Sequence, residues 1–223
     1  MANNITELVF VIDASGSMCH LREDTVGGVN GILQEQRNDK KDDNVLVNLV
    51  TFNYGTKTVY DRVELKKVTP FTANDYRPSG GTALYDATCE TIKKISDIHK
   101  YIRKEDVPQK TLFVIITDGM ENSSTKYSGR DVKQMIDEKK KIGWEFLFLG
   151  ANIDTEETAQ KIGVDASHAM SWMADDRSMR FMCEGVNDVV RKTRKHESYS
   201  RESFCALDMD FEQRSNNRSN KKK

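Results

Sequence analysis

The chain has 223 residues, 37% apolar and 31% charged, with 13 glycines and only 3 prolines; that is enough apolar mass for one large domain with a real core. Its 34 basic and 35 acidic side chains nearly cancel, which removes the electrostatic case for a dedicated nucleic-acid binder and confines any polyanion contact to a local patch. No run approaches the ~18 consecutive apolar residues of a membrane span, and the opening MANNITEL lacks the basic-then-apolar order of a secretory signal. The expectation is a cytoplasmic protein with no membrane contact. Cys19, Cys89, Cys183 and Cys205 are isolated and widely spaced; they form neither a metal knuckle nor a disulfide framework, and free thiols are expected.

In chain order, the first predicted element is the apolar run 8–12 (LVFVI), followed by a charged stretch of helical spacing at 23–37. A second run at 45–52 leads through Tyr54 and Gly55 into the partly alternating segment 56–67, and so short a turn predicts an antiparallel edge hairpin. Helical spacing returns at 84–103, 130–142 and 156–162, separated by apolar runs at 112–116 and 146–149. A last strand is expected within 168–173. A closing helix at 175–196 carries Met179, Met182, Val186, Val189 and Val190 at spacings of three and four. Short uninterrupted apolar runs suit strands buried on both faces of a parallel sheet. Strands alternating with helices give an α/β fold of about six strands.

No Gly/Pro-rich linker divides the chain, so residues 1–196 read as one domain and 197–223 as a C-terminal tail. Phe204, Ala206 and Phe211 could dock the first part of that tail. The last ten residues, RSNNRSNKKK, hold five basic groups and no acid or apolar side chain; they are expected to be disordered, with at most weak, salt-dependent affinity for nucleic acid. Asp208, Asp210 or Glu212 could reach a metal crevice in the same or a neighbouring subunit.

Three loops carry unusual chemistry. Asp13-Ala-Ser15-Gly16-Ser17 directly follows LVFVI and gathers a carboxylate and two hydroxyls around a flexible glycine. Ser79-Gly80-Gly81-Thr82 precedes a predicted helix, and Thr117-Asp118-Gly119 directly follows the run 112–116. Each alone is also ordinary turn and helix-cap chemistry. In open α/β sheets, however, ligands bind beyond the carboxyl ends of the strands, so all three loops should share one crevice. Two carboxylates and three hydroxyls, without histidine or thiolate, favour a hard cation, Mg²⁺ or Mn²⁺. Mostly neutral ligands leave the ion's charge under-compensated, so a carboxylate from outside can complete it. Gly16, Gly81, Gly119 and Glu121 are candidates for the rim.

Asp13-x-Ser15-x-Ser17, Thr82 and Asp118 together resemble the complete metal-ion-dependent adhesion site of von Willebrand factor A domains, over residues 5–195. The resemblance implies a Rossmann-like fold with a central, mostly parallel sheet, one antiparallel edge strand and helices on both faces. It implies Ser15, Ser17 and Thr82 as hydroxyl ligands, Asp13 and Asp118 as direct or water-mediated ligands, and usually Mg²⁺. The implied partner is a protein offering a glutamate or aspartate. Without a secretion signal, disulfide pattern or attached module, the chain is more similar to small stand-alone intracellular or phage-type members, some resembling adaptors of AAA+ ATPases, which makes such an ATPase or an assembly component an expected partner.

Two competing readings have sequence support. Asp13 at a strand end is similar to the nucleophile of aspartate-dependent phosphatases, but the second carboxylate they need two residues later is Ser15 here, and no general acid is evident. The ion could also serve structure alone, in an assembly subunit. The expectation is a binding module, not an enzyme. Cys19 and His20 sit beside the first loop and are expected to be incidental to it.

Overall fold

The computed structural model describes residues 4–39 and 44–220. Six strands, β1 (Ile5–Asp13), β2 (Asn44–Phe52), β3 (Thr56–Glu64), β4 (Lys110–Thr117), β5 (Trp144–Gly150) and β6 (Ala169–Ser171), form one sheet in the order β3-β2-β1-β4-β5-β6. All neighbours run parallel except β2 and β3, the antiparallel edge hairpin. Apolar runs became strands because both faces of the sheet are covered. Leu8, Phe10 and Ile12 face one core with Val29, Ile32, Met182 and Val186. Val9 and Val11 face the other, with Phe113, Phe148, Ile92 and Ile136.

Six helices supply the covers: α1 (Arg22–Asn38), α2 (Leu84–Tyr101), α3 (Gly129–Lys140), α4 (Thr155–Lys161), α5 (Asp176–Arg194) and α6 (Cys205–Asn220). Helices α1 and α5 lie on the first face, and α2, α3 and α4 on the second. Local signals fix their starts. Ser128 and Asp131 form a reciprocal capping box on α3, and Asp154 and Asp175 accept backbone N–H bonds at the heads of α4 and α5. All four cysteines are unpaired. Among the described residues no helix is long and apolar enough to cross a membrane.

The C-terminal segment differs from the expectation. Residues 214–220, expected to be disordered, continue helix α6; Lys221, Lys222 and Lys223 lie outside the described residues. The physical reason is anchoring that composition hides. Phe204 and Leu207 are buried in the first core, while Arg214 pairs with both Asp175 and Asp210. Nor do two of the tail carboxylates reach toward the metal crevice of the same chain. Asp210 is buried between Arg177 and Arg214, and Asp208 is held by Arg201.

The chain reverses its direction of travel across the sheet at β1. From β1 it moves outward to β2 and β3, then returns through α2 to β4 on the other side. The crevice beyond the carboxyl ends of β1 and β4 is therefore the topological switch point, where open α/β sheets bind ligands.

Candidate metal centre

Ile12 and Ile116 are partners in the β1–β4 register, so Asp13 and Thr117 end their strands side by side. The Thr117 hydroxyl donates to Oδ2 of Asp13 at 2.7 Å, and the Ser15 amide donates to its Oδ1 at 2.7 Å. Tyr76, fully buried, donates its hydroxyl to the Asp13 carbonyl. Asp13 itself is 0% exposed. Burial pushes its carboxyl above the ordinary value, while the bonds from Thr117 and Ser15 pull the other way.

From Ser15 a line of oxygens runs to β4. The Ser15 and Ser17 hydroxyls are 3.0 Å apart, and Ser17 donates to Oδ1 of Asp118 at 2.6 Å. The other Asp118 oxygen, Oδ2, is buried without a hydrogen-bond partner. Burial raises the Asp118 carboxyl as well, opposed by the bond from Ser17.

Thr82 closes the third side. Its amide donates to Oδ1 of Asn122 at 2.9 Å and its carbonyl accepts from the Asn122 amide at 3.0 Å. A Cβ built on Gly119 would stand 3.8 Å from the Thr82 hydroxyl and 3.9 Å from that of Ser17; the two hydroxyls thus flank the space that glycine leaves open. Gly16 donates its amide to the Gly80 carbonyl at 3.0 Å, joining the first loop to the second. Gly80 has φ +76°, a left-handed conformation that suits glycine.

Five residues named from sequence therefore meet in one place, and their bracing comes from residues whose structural role the sequence did not reveal. Glu121 does not present a free carboxylate at the rim. It accepts from the amides of Tyr85, Ser123 and Ser124 and from the Ser124 hydroxyl. Asp86 reciprocates from α2, accepting from the amides of Thr125, Lys126 and Tyr127. These two carboxylates lock the loop after Asp118 onto the head of α2, and so lock Asp118 against Thr82. The Cys19 thiol donates to the Pro78 carbonyl, and the His20 ring meets the carbonyls of Ser17 and Ala174. Neither forms a hydrogen bond to a side-chain oxygen of the five, although His20 braces the backbone of Ser17.

The family model of the von Willebrand factor type A domain matches residues 7–181. The chain belongs to this family. Solved structures share the fold at low identity. Proximal thread matrix protein 1 from the mussel byssus is 15% identical over 85% of this chain and 47% of its own, with a TM-score of 0.57. A von Willebrand factor type A protein from Catenulispora acidiphila is 16% identical over 86% and 43%, with a TM-score of 0.55. The pilus adhesin SpaC from Lactobacillus rhamnosus GG is 15% identical over 84% and 31%, with a TM-score of 0.63. The chain spans about half or less of the length of these structures. One form of the mussel protein is described as having a zinc-occupied MIDAS motif. No curated protein matches.

The donor set of this von Willebrand A domain fits a small hard cation. Neighbouring ligands of an octahedral ion at about 2.1 Å lie about 3 Å from each other, close to the spacings of Ser15, Ser17 and Asp118. Among the described residues no group of three or more His, Cys, Asp or Glu is placed to hold a metal, so a cation here would depend on the hydroxyls. Ser17 is exposed while Asp13, Ser15, Thr82 and Asp118 are buried. Among the five, Ser17 is thus the one that meets solvent.

Proposed function

We propose that Ser15, Ser17, Thr82, Asp13 and Asp118 form a complete metal-ion-dependent adhesion site holding Mg²⁺ or Mn²⁺, and that the chain is a protein-interaction module. The observation that carries this is the Asp118 carboxylate. One of its oxygens is buried without a partner and the other ends a line of hydroxyls leading to exposed Ser17. An unsatisfied buried carboxylate oxygen is costly unless something charged completes it. When bound, a six-coordinate cation held by these five donors would keep one position open for an anionic oxygen from outside. The partner is accordingly a protein presenting aspartate or glutamate, with an AAA+ ATPase or an assembly component as a candidate.

The protein's own groups do the rest. Thr117 and the Ser15 amide orient Asp13, and Asn122, Asp86 and Glu121 hold Thr82 and Asp118 in position. We read this as binding rather than catalysis, because both oxygens of Asp13 already accept hydrogen bonds in a fully buried setting and Ser15 stands where a phosphatase needs its acid.

The test is a thermal melt in EDTA, then in Mg²⁺, Mn²⁺ or Zn²⁺, for wild type, Asp118→Ala and Thr82→Ala. The zinc arm follows from the zinc-occupied motif of the mussel protein. At free metal about 100 times the dissociation constant, binding adds about 2.7 kcal/mol, a rise of about 5–10 °C for this size. Both variants should lose that rise. A wild type indifferent to all three ions contradicts the proposal. A pull-down with and without EDTA then separates a bridging ion from a merely structural one.

A further inference from the structure

Among the described residues five large apolar side chains are exposed, and two of them, Tyr54 at 71% and Met120 at 70%, lie beside the candidate metal centre. Tyr54 sits in the turn between β2 and β3, and its ring lies on Gly80 and Gly81. A Cβ on Gly80 would come within 2.5 Å of the ring and one on Gly81 within 2.8 Å. Two successive positions without side chains thus let an aromatic ring rest beside Thr82 while most of its surface stays in water. Met120 follows Gly119, the residue that faces the Thr82 and Ser17 hydroxyls.

Next to this platform is a cavity of about 310 Å³ whose lining includes Ala14, Asn53, Lys57, Asp75 and Arg77. Ala14 separates Asp13 from Ser15, so the cavity shares a wall with the metal loop. Its cations are lightly used. The Lys57 ammonium donates to the Asp75 carbonyl at 2.7 Å and Arg77 donates to Oδ1 of Asn74 at 3.3 Å. These bonds engage a small part of the eight N–H donors that the two side chains carry. The one carboxylate in the lining, Asp75, accepts from the amide and hydroxyl of Thr72.

We propose that this face docks an acidic peptide segment of a partner protein at three points: one carboxylate at the metal, an apolar side chain against Tyr54, and a second carboxylate in the cavity between Lys57 and Arg77. The first point rests on the metal reading above; the other two do not. Charge complementarity selects the occupant. Two cations beside a cation site favour a segment with more than one acid. A near-neutral chain of net charge -1 favours a peptide over a polyanion, which needs a longer basic track. An exposed aromatic ring at the centre of such a patch is the usual anchor of a binding surface.

The probe is a phage-displayed random dodecapeptide library, panned with Mg²⁺ and Mn²⁺ present on the full chain and on its Lys57→Gln/Arg77→Gln variant, each eluted first with EDTA and then with acid. Wild type should enrich sequences with two acids and a neighbouring apolar residue, and the variant sequences with one. A wild-type-selected peptide should bind the charge variant roughly tenfold more weakly, and Tyr54→Ala more weakly still. The metal-induced thermal shift should be unchanged in both variants. Equal pools that still elute with EDTA overturn the cavity assignment and leave the metal reading standing. Paired acids that ignore EDTA overturn the metal reading and leave the cavity. No acidic enrichment on either protein overturns the surface itself, as does a single-stranded oligothymidylate that binds through Lys57 and Arg77 more tightly than any selected peptide.

Discussion

The Ser17 hydroxyl donates to Oδ1 of Asp118 at 2.6 Å, joining residues 101 positions apart. With the Thr117 bond to Asp13, it stitches the end of β1 to the end of β4 at the point where the sheet reverses its winding. The oxygen cluster is therefore a consequence of topology: two strands adjacent in space and distant in sequence each deliver an aspartate to the same crevice, Asp13 level with Thr117 and Asp118 one residue beyond it.

Thr117→Val tests that stitch from behind. The substitution keeps the shape of the side chain and removes the donor to Oδ2 of Asp13, leaving a buried carboxylate oxygen short of a partner. It should lower stability in EDTA by about 1–3 kcal/mol in urea denaturation, and a saturating divalent ion should restore part of the loss. A variant as stable as wild type in EDTA would show that the bond contributes little.

Much of the fold was legible because the sheet is covered on both faces. The runs 8–12, 45–52, 112–116 and 146–149 all lie inside observed strands. The observed strand ends extend past the apolar residues: β1 takes in Thr6, Glu7 and Asp13, and the two carboxylates are satisfied by partners elsewhere in the sequence. The five oxygen donors were legible because each abuts a strand end or helix start. Thr117, Asn122, Asp86 and the turned-in role of Glu121 were not, since hydroxyls, amides and carboxylates are common in loops and only tertiary contact assigns them. Helix α6 was hidden for the same reason. Its polar sequence shows no clear stripe, and the Arg214–Asp175 pair that holds it joins residues 39 apart.

Acid should release the ion early. Burial raises the carboxyls of Asp13 and Asp118 above their ordinary 3.8. In the metal-free chain the folded state thus holds these protons to a higher pH than the unfolded state does. The two groups weaken the fold at neutral pH, and this penalty fades as pH falls through the raised values. Metal binding needs both groups deprotonated. The Mg²⁺-induced rise in Tm should be full near neutrality and shrink as pH falls through the raised values, beginning above 3.8. Melts with and without Mg²⁺ across this range check it. A constant increment down to pH 3.8 contradicts it.

At the opposite end of β1, Glu7 is 0% exposed and meets Arg62 and Asn48, each at 2.9 Å, as well as His99. Arg62 has φ +50° and its amide donates to Oδ1 of Asn48, so one carboxylate ties β1 to the irregular β2–β3 pairing and to α2. Glu7→Ala leaves a largely buried guanidinium unpaired and should cost about 3–5 kcal/mol. Metal affinity of the folded variant, measured calorimetrically, should be unchanged. A loss below 1 kcal/mol would mean the network relaxes into solvent.

Gly185 in α5 lies under Phe204, where an added Cβ would come within 2.2 Å of the ring. Alanine gains up to about 1 kcal/mol of helix propensity, yet the buried ring has to move, an overpacking cost of about 1–3 kcal/mol. Gly185→Ala should be the less stable protein in urea denaturation, and adding Phe204→Leu should recover part of the loss. A more stable Gly185→Ala would show that the 201–204 turn lifts off freely.

Manganese puts the central claim to the most direct measurement, since free Mn²⁺ gives a sharp solution EPR signal that is lost on binding. Titrating the full chain should remove the signal up to one ion per chain, and Asp118→Ala and Ser17→Ala should each abolish that uptake while keeping the wild-type far-UV spectrum. Wild type that leaves the Mn²⁺ signal untouched, or uptake that survives both substitutions, would show that these oxygens do not hold a cation.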